Sequence, residues 1–280
     1  MTNKPLLASL LLAACMIPLG AHAGTGSDIP SCYSANKIEI AAPAIQHEIF
    51  FLIDETTMLD ENLQAALFSI TQSRVKPGVK FSILSFSAYA QGRYLSQKLG
   101  GILEQPLPKD ARASIGVKVL KNFDACMAAQ ARYGLDNALK AEKTILQSAT
   151  SDLSKSDVLA SIAEMSHLVK ESTIPKRTVL IVSDMLENSS ISSFYAKNSV
   201  KRIDPSKEMK IVTHEKMLGD FSGADIYVMG AAIVPETGRT VYRDPKTTAA
   251  LKDFWAEYFS KSNGNLVEFG MPALLRPPIN

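Results

Sequence analysis

The sequence predicts an α/β domain: a doubly wound, mostly parallel central sheet with helices on both faces and a helical insertion. Three observations predict it. Residues 48–54 and 178–182 are short, near-continuous apolar runs, the pattern of strands buried on both faces of a sheet. Segments with apolar residues at helical spacing separate such runs, and strands alternating with helices imply right-handed βαβ crossovers. The 280 residues contain no internal repeat, low-complexity tract or second composition domain, which suits one large domain with an insertion.

Each element follows in order. Residues 24–47 are polar without a sustained period and read as an extended lead-in; the domain proper is expected over 48–280. After the first strand, residues 59–74 carry Leu63, Ala66, Leu67 and Ile70 at the spacing of an amphipathic helix, which Lys76-Pro77-Gly78 stops. Residues 79–86 form a second strand, 88–92 a turn, and 93–99 a short antiparallel edge strand. The insertion, 106–150, is helical in composition, with Val119, Phe123, Cys126, Met127, Leu135, Leu139 and Leu146 on a broken apolar stripe that Gly134 is expected to kink or divide. The polar turn at 151–156 offers N-caps for a helix over 157–170. A strand at 178–182, a helix near 207–218, a strand at 224–234, a helix at 247–261 and a final strand at 266–269 complete the chain.

The first 23 residues read as a signal peptide: Lys4, then an apolar stretch, then a small-x-small ending at Ala23. The apolar stretch is short for a membrane span of about 20 residues. A bacterial lipoprotein box, Leu12-Ala13-Ala14-Cys15, competes with it and would place a lipid anchor on Cys15, although the apolar region continues past that cysteine. Either signal exports the protein, to the periplasm if the source is bacterial. No later segment is apolar enough to span a bilayer. The net charge of +2, without a basic run, gives no footprint for nucleic acid. Cys32 and Cys126 remain as a pair that an oxidising compartment permits to form a disulfide; two separate buried thiols are the alternative.

The chemistry concentrates at strand ends. In open α/β sheets, ligands bind beyond the carboxyl ends of the strands where the winding reverses. The first strand ends in Asp54-Glu55-Thr56-Thr57, and the strand at 178–182 ends in Ser183-Asp184. Following the chain up and down brings these two turns and the 151–156 turn to one face, with Asp54 and Asp184 on neighbouring strands. The plain alternative is that Asp54 and Thr56 cap the next helix while Asp184 opens a turn.

In "FFLIDETTM" and "TVLIVSDMLEN" the chain resembles the von Willebrand factor type A (vWA) domain, whose metal-ion-dependent adhesion site opens with Asp-x-Ser-x-Ser after the first strand. A Thr from a helix-leading turn and a later Asp complete that site. The resemblance spans roughly residues 47–269 and implies a vWA/Rossmann-like fold, a non-enzymatic protein-binding role and Mg²⁺ as cofactor. It assigns Asp54 to the first Asp, Thr56 to the first Ser and Asp184 to the final Asp, with Ser154 or Ser156 nearest the Thr. The site is degenerate. Met58 stands at the second Ser, and a thioether is a poor partner for a hard cation; Thr57 is the nearest substitute. The expected metal set is therefore Asp54, Thr56, Ser156 and Asp184, in an envelope module that binds another protein; a metal-free structural component of an envelope assembly is the variant of this reading.

A haloacid-dehalogenase-like phosphatase would also use an Asp after the first strand, here Asp54, as nucleophile. It would need a second Asp where Thr56 stands and a hydroxyl where Met58 stands. No G-x-S-x-G elbow supports serine hydrolysis, no glycine-rich loop supports a nucleotide, and His22, His47, His167 and His214 lack metal-ligand spacing.

Overall fold

The computed structural model describes residues 27–90, 93–149, 156–196, 199–233 and 244–278. Residues 1–26 with Cys15, residues 151–155 with Ser154, and residues 91–92 of the expected turn lie outside them. In chain order the elements are α1 (Cys32–Ala35), β1 (His47–Asp54), α2 (Glu61–Arg74), β2 (Val79–Ala90), β3 (Arg93–Leu103), α3 (Lys109–Arg112), α4 (Val117–Ser148), α5 (Val158–Glu171), β4 (Lys176–Val182), β5 (Tyr195–Ala196), β6 (Ser199–Val200), α6 (Pro205–His214), β7 (Asp225–Met229), α7 (Pro245–Lys261) and β8 (Asn265–Phe269).

The main sheet runs β3-β2-β1-β4-β7-β8, parallel except for the β2–β3 pair. Winding reverses between β1 and β4, whose register pairs Ile53 with Val182 and so aligns the two carboxyl ends. Every residue of β1 after His47 is buried, as a strand covered on both faces requires. Its alternation feeds two cores: Phe50 and Leu52 pack with α5, α6 and α7, while Ile49, Phe51 and Ile53 pack with α2 and α4. This is a doubly wound α/β fold of the vWA/Rossmann-like kind.

Three expectations are corrected. Residues 24–47 are not extended throughout: Ser31 caps α1, and Ile29, Cys32 and Tyr33 are buried. Tyr33 sits edge-on to Phe123 of α4, with ring centroids 4.9 Å apart, because α1 has an apolar partner there that no local pattern reveals. The edge strand runs on to Leu103, and β2 to Ala90, because the pair is one long hairpin. Gly134 does not divide α4, which continues for 32 residues. Gly134 is buried where α4 crosses β3, and a Cβ there would stand 2.5 Å from Leu103 Cδ2. The residue is small because the Leu103 side chain fills the space that a Cβ would take. Gly134→Leu is expected to destabilise the protein by about 1–3 kcal/mol through overpacking, read as a lower urea midpoint at unchanged m-value; an unchanged midpoint would mean that Leu103 simply swings away.

The Cys32–Cys126 disulfide forms, with Cα atoms 5.7 Å apart and a sequence separation of 94. Glu104, just beyond β3, reinforces it. Its Oε2 accepts from Cys32 N–H at 2.7 Å, and its own N–H donates to Gln130 Oε1 at 2.9 Å. Gln130 Nε2 donates in turn to Pro30 O at 2.7 Å, so α1, β3 and α4 share one polar clasp beside the cystine.

Candidate functional site

The capping alternative fails for Asp54. The N-cap of α2 is Asp60, whose side chain accepts from Leu63 N–H at 2.8 Å. Asp54 follows Phe50 and Leu52 on the α5 side of the sheet and is 1% exposed. Its Oδ1 accepts from the N–H of Thr56 at 2.8 Å and from its hydroxyl at 2.6 Å. Its Oδ2 accepts from Ser183 Oγ at 2.8 Å and Thr57 Oγ1 at 3.1 Å. A carboxylate cannot enter an apolar interior unless donors surround it, and the sequence supplies three hydroxyls within reach.

Asp184 is also buried. Its N–H donates to Thr57 Oγ1 at 2.9 Å, which links the β1 and β4 turns directly. Its Oδ1 accepts from Leu186 N–H at 2.8 Å, the local turn expected of an Asp here. Its Oδ2 accepts from the phenol of Tyr195. Between Asp184 and Leu186, Met185 adopts a left-handed φ of 59°, uncommon for a residue with a side chain. The turn is held from two sides: Met185 N–H donates to Ser183 Oγ at 2.9 Å, and Trp255 Nε1 donates to Met185 O at 2.9 Å.

Ser156 enters from the third turn. Its backbone pairs with Asn188 in an isolated antiparallel bridge, and its Oγ lies 3.4 Å from Thr56 Oγ1. Asp157 is the N-cap residue of α5, but its side chain accepts no capping bond. Glu187 does this instead, its Oε2 accepting from Leu159 N–H at 2.8 Å. A negative group at a helix N-terminus is favourably placed.

The electrostatics are those of two acids sharing a dry site. Burial raises the Asp184 pKa to about 8, with the charge of Asp54 adding to the effect, against the hydrogen bonds from Tyr195 and Leu186. Burial also raises Asp54, opposed by the bonds from Thr56, Ser183 and Thr57. Tyr195 is pushed far above its ordinary value, first by burial and then by the charge of Asp184, so its phenol stays a donor. Among the described residues no Lys or Arg forms an ion pair with either acid. The site thus gathers two acids and hard oxygen donors with no basic group, among the described residues, to balance the acids when they ionise.

Those donors fit a small divalent cation in kind. Mg²⁺ takes about six oxygens and keeps several waters, so carboxylates with hydroxyls suit it. Asp54, Thr56, Ser156 and Asp184 would hold it; Met58, 55% exposed, adds nothing. No group of three or more His, Cys, Asp or Glu gathers anywhere among the described residues, so any cation here depends on hydroxyls and water as well. Sequence reasoning placed the two acids, Thr56 and Ser156 together. It missed Tyr195 and Glu187, which reach the site from a segment with no regular period.

No protein-family model matches the chain, and no curated protein matches it. Solved structures do. The chain is similar to an aerotolerance-related membrane protein from Bacteroides fragilis (13% identity, 80% of this chain and 92% of that one, TM-score 0.35). It is similar to the vWF domain of the type V pili tip protein Mfa5 from Porphyromonas gingivalis (12%, 52% and 40%, TM-score 0.29). A third is the PilB minor pilin from Streptococcus sanguinis (10%, 82% and 59%, TM-score 0.42). At such scores the chain's own sheet order, rather than these likenesses, defines it as a doubly wound α/β domain. No helix among the described residues is long and apolar enough to cross a membrane.

Proposed function

We propose that this chain is an exported, non-enzymatic binding module that engages another protein at the face where β1 and β4 end, assisted by Mg²⁺. The supporting observation is the buried Asp54–Asp184 pair, which has hydroxyl donors and, among the described residues, no basic partner. Bound Mg²⁺ would supply the missing positive charge and an open coordination position for an acidic group of the partner. The chain's own part is to orient the oxygens: Thr57 and Ser183 fix the carboxylates, and Thr56 and Ser156 sit side by side. The phosphatase reading is less well supported. Thr56, a hydroxyl without the acid strength of a carboxyl, stands in the place of the general acid and bonds to Asp54 itself. Export accords with the disulfide, since such bonds persist in oxidising compartments. Cleavage after Ala23 to a periplasmic protein, or lipid on Cys15, would be distinguished by the mass of the mature N-terminus. In this proposal residues 48–280 form the binding domain, with 24–47 clasped to the insertion at 106–150.

The test is thermal unfolding with Mg²⁺ or Mn²⁺. A hundredfold excess over Kd is expected to stabilise by about 2.7 kcal/mol, and Asp184→Asn should abolish the shift while the fold survives. Turnover of p-nitrophenyl phosphate that Asp54→Asn removes would establish the phosphatase instead. Neither a shift nor turnover would leave a metal-free structural component.

A further inference from the structure

Tyr195 reaches the Asp184 side chain from outside the three strand-end turns. Its position is built, not incidental. The preceding Phe194 is fully buried, edge-on to Phe254 with centroids 5.2 Å apart. Phe194 N–H donates to Glu187 O at 2.8 Å, and Phe194 O accepts from Lys201 N–H at 2.7 Å. Ser193 Oγ, within 3.4 Å of Tyr195 N, donates to Asn188 Oδ1 at 3.0 Å. Asn188 is the residue whose backbone pairs with Ser156. The segment carrying the phenol is thus tied to the turn that carries a candidate metal hydroxyl.

We infer that Tyr195 is an internal competitor for the cation: its O–H holds the Asp184 oxygen that a metal would use, and metal enters only as the phenol withdraws. This rests on the metal reading given above. Leu186 N–H already occupies Asp184 Oδ1, leaving Oδ2 as the oxygen available to a cation. A neutral donor satisfies one acid without cancelling its charge, whereas a divalent ion would do both. The competition therefore keeps the site closed at low metal and lets it open when the ion is abundant or a partner adds a ligand.

The chain contains one tryptophan, and its indole hydrogen-bonds Met185, the neighbour of Asp184. Mn²⁺, a paramagnetic quencher, can therefore be titrated against Trp255 fluorescence in the mature protein. Tyr195→Phe is expected to bind Mn²⁺ about tenfold more tightly than the wild type, with Asp184→Asn as the non-binding control. Equal affinities would overturn the inference and leave the metal site standing. Weaker binding by Tyr195→Phe would overturn it by making Tyr195 a ligand. No quenching in either protein would overturn the metal reading, and the inference with it. Tyr195→Leu, which removes the ring as well, carries the same expectation should the Phe variant misfold.

Discussion

Replacing Cys126 by serine is expected to lower the unfolding free energy by about 2–4 kcal/mol and to free α1 from α4. In the chain-entropy account, a closed loop of this size constrains the unfolded state by at most about 4.7 kcal/mol. The 94-residue separation places the bond near that upper range, because it spans β1, α2, β2 and β3. Native packing limits the loss: Tyr33 still meets Phe123, and Glu104 still holds Cys32 N–H. The measurement is urea unfolding of oxidised and reduced protein and of Cys126→Ser, with hydrogen exchange to follow Tyr33 and Cys32. Reduced and oxidised proteins with the same midpoint would show that the clasp of Glu104 and Gln130 carries the segment alone.

The second large effect is on pH. Asp184 and Glu142 are each raised to about 8, and Glu187 to about 7, in every case chiefly by burial. Free carboxyls titrate near pH 4, so between pH 4 and 8 the folded protein holds protons that the unfolded chain releases. The unfolded state then binds fewer protons, and stability falls as pH rises through this window. Each retained proton contributes up to about 1.4 kcal/mol per pH unit. The metal-free protein should be more stable at pH 5 than at pH 8 by several kcal/mol. Glu142→Gln isolates one share. Glu142 is fully buried between α4 and α2, its Oε1 accepting from Thr71 Oγ1 at 2.6 Å while Oε2 has no partner. The variant should match the wild type at pH 5 and exceed it at pH 8. Stability that is flat or rising from pH 5 to 8 would contradict the raised values.

The contrast between elements that could be read from sequence and those that could not has a physical cause. β1 and β4 were readable because burial on both faces demands an uninterrupted apolar run, and their ends fixed Asp54 and Asp184 as neighbours. The packed face of α4 was not. Its buried positions are Phe123, Met127, Gln130, Gly134, Ala138, Glu142 and Ile145, a regular helical stripe in which three members look polar or helix-breaking. Gln130 is tolerated because distant partners satisfy it, Glu142 because Thr71 donates to one of its oxygens and burial favours its neutral form, and Gly134 because β3 lies against it. Val119, assigned to the stripe by its hydrophobicity, is 39% exposed. Tyr195 and Glu187 were hidden for the same reason. Their roles depend on where the chain returns after β4, and the sequence around them has the composition of an ordinary loop.

The cystine also determines how this molecule would respond to mechanical load. A pull applied on the N-terminal side of Cys32 passes through the sulfur bridge into α4 instead of peeling β1 from the centre of the sheet. Some 94 residues are shielded from that tension. At about 3.4 Å per residue they represent roughly 300 Å of contour length that stays hidden until the bridge is reduced. A module anchored at that end would extend in short steps under oxidising conditions and become far longer and more compliant once reduced. The strand that carries Asp54 lies inside the shielded loop. The Asp54 side of the candidate face is thereby kept out of the loaded path, while its Asp184 side, on β4, stays within it.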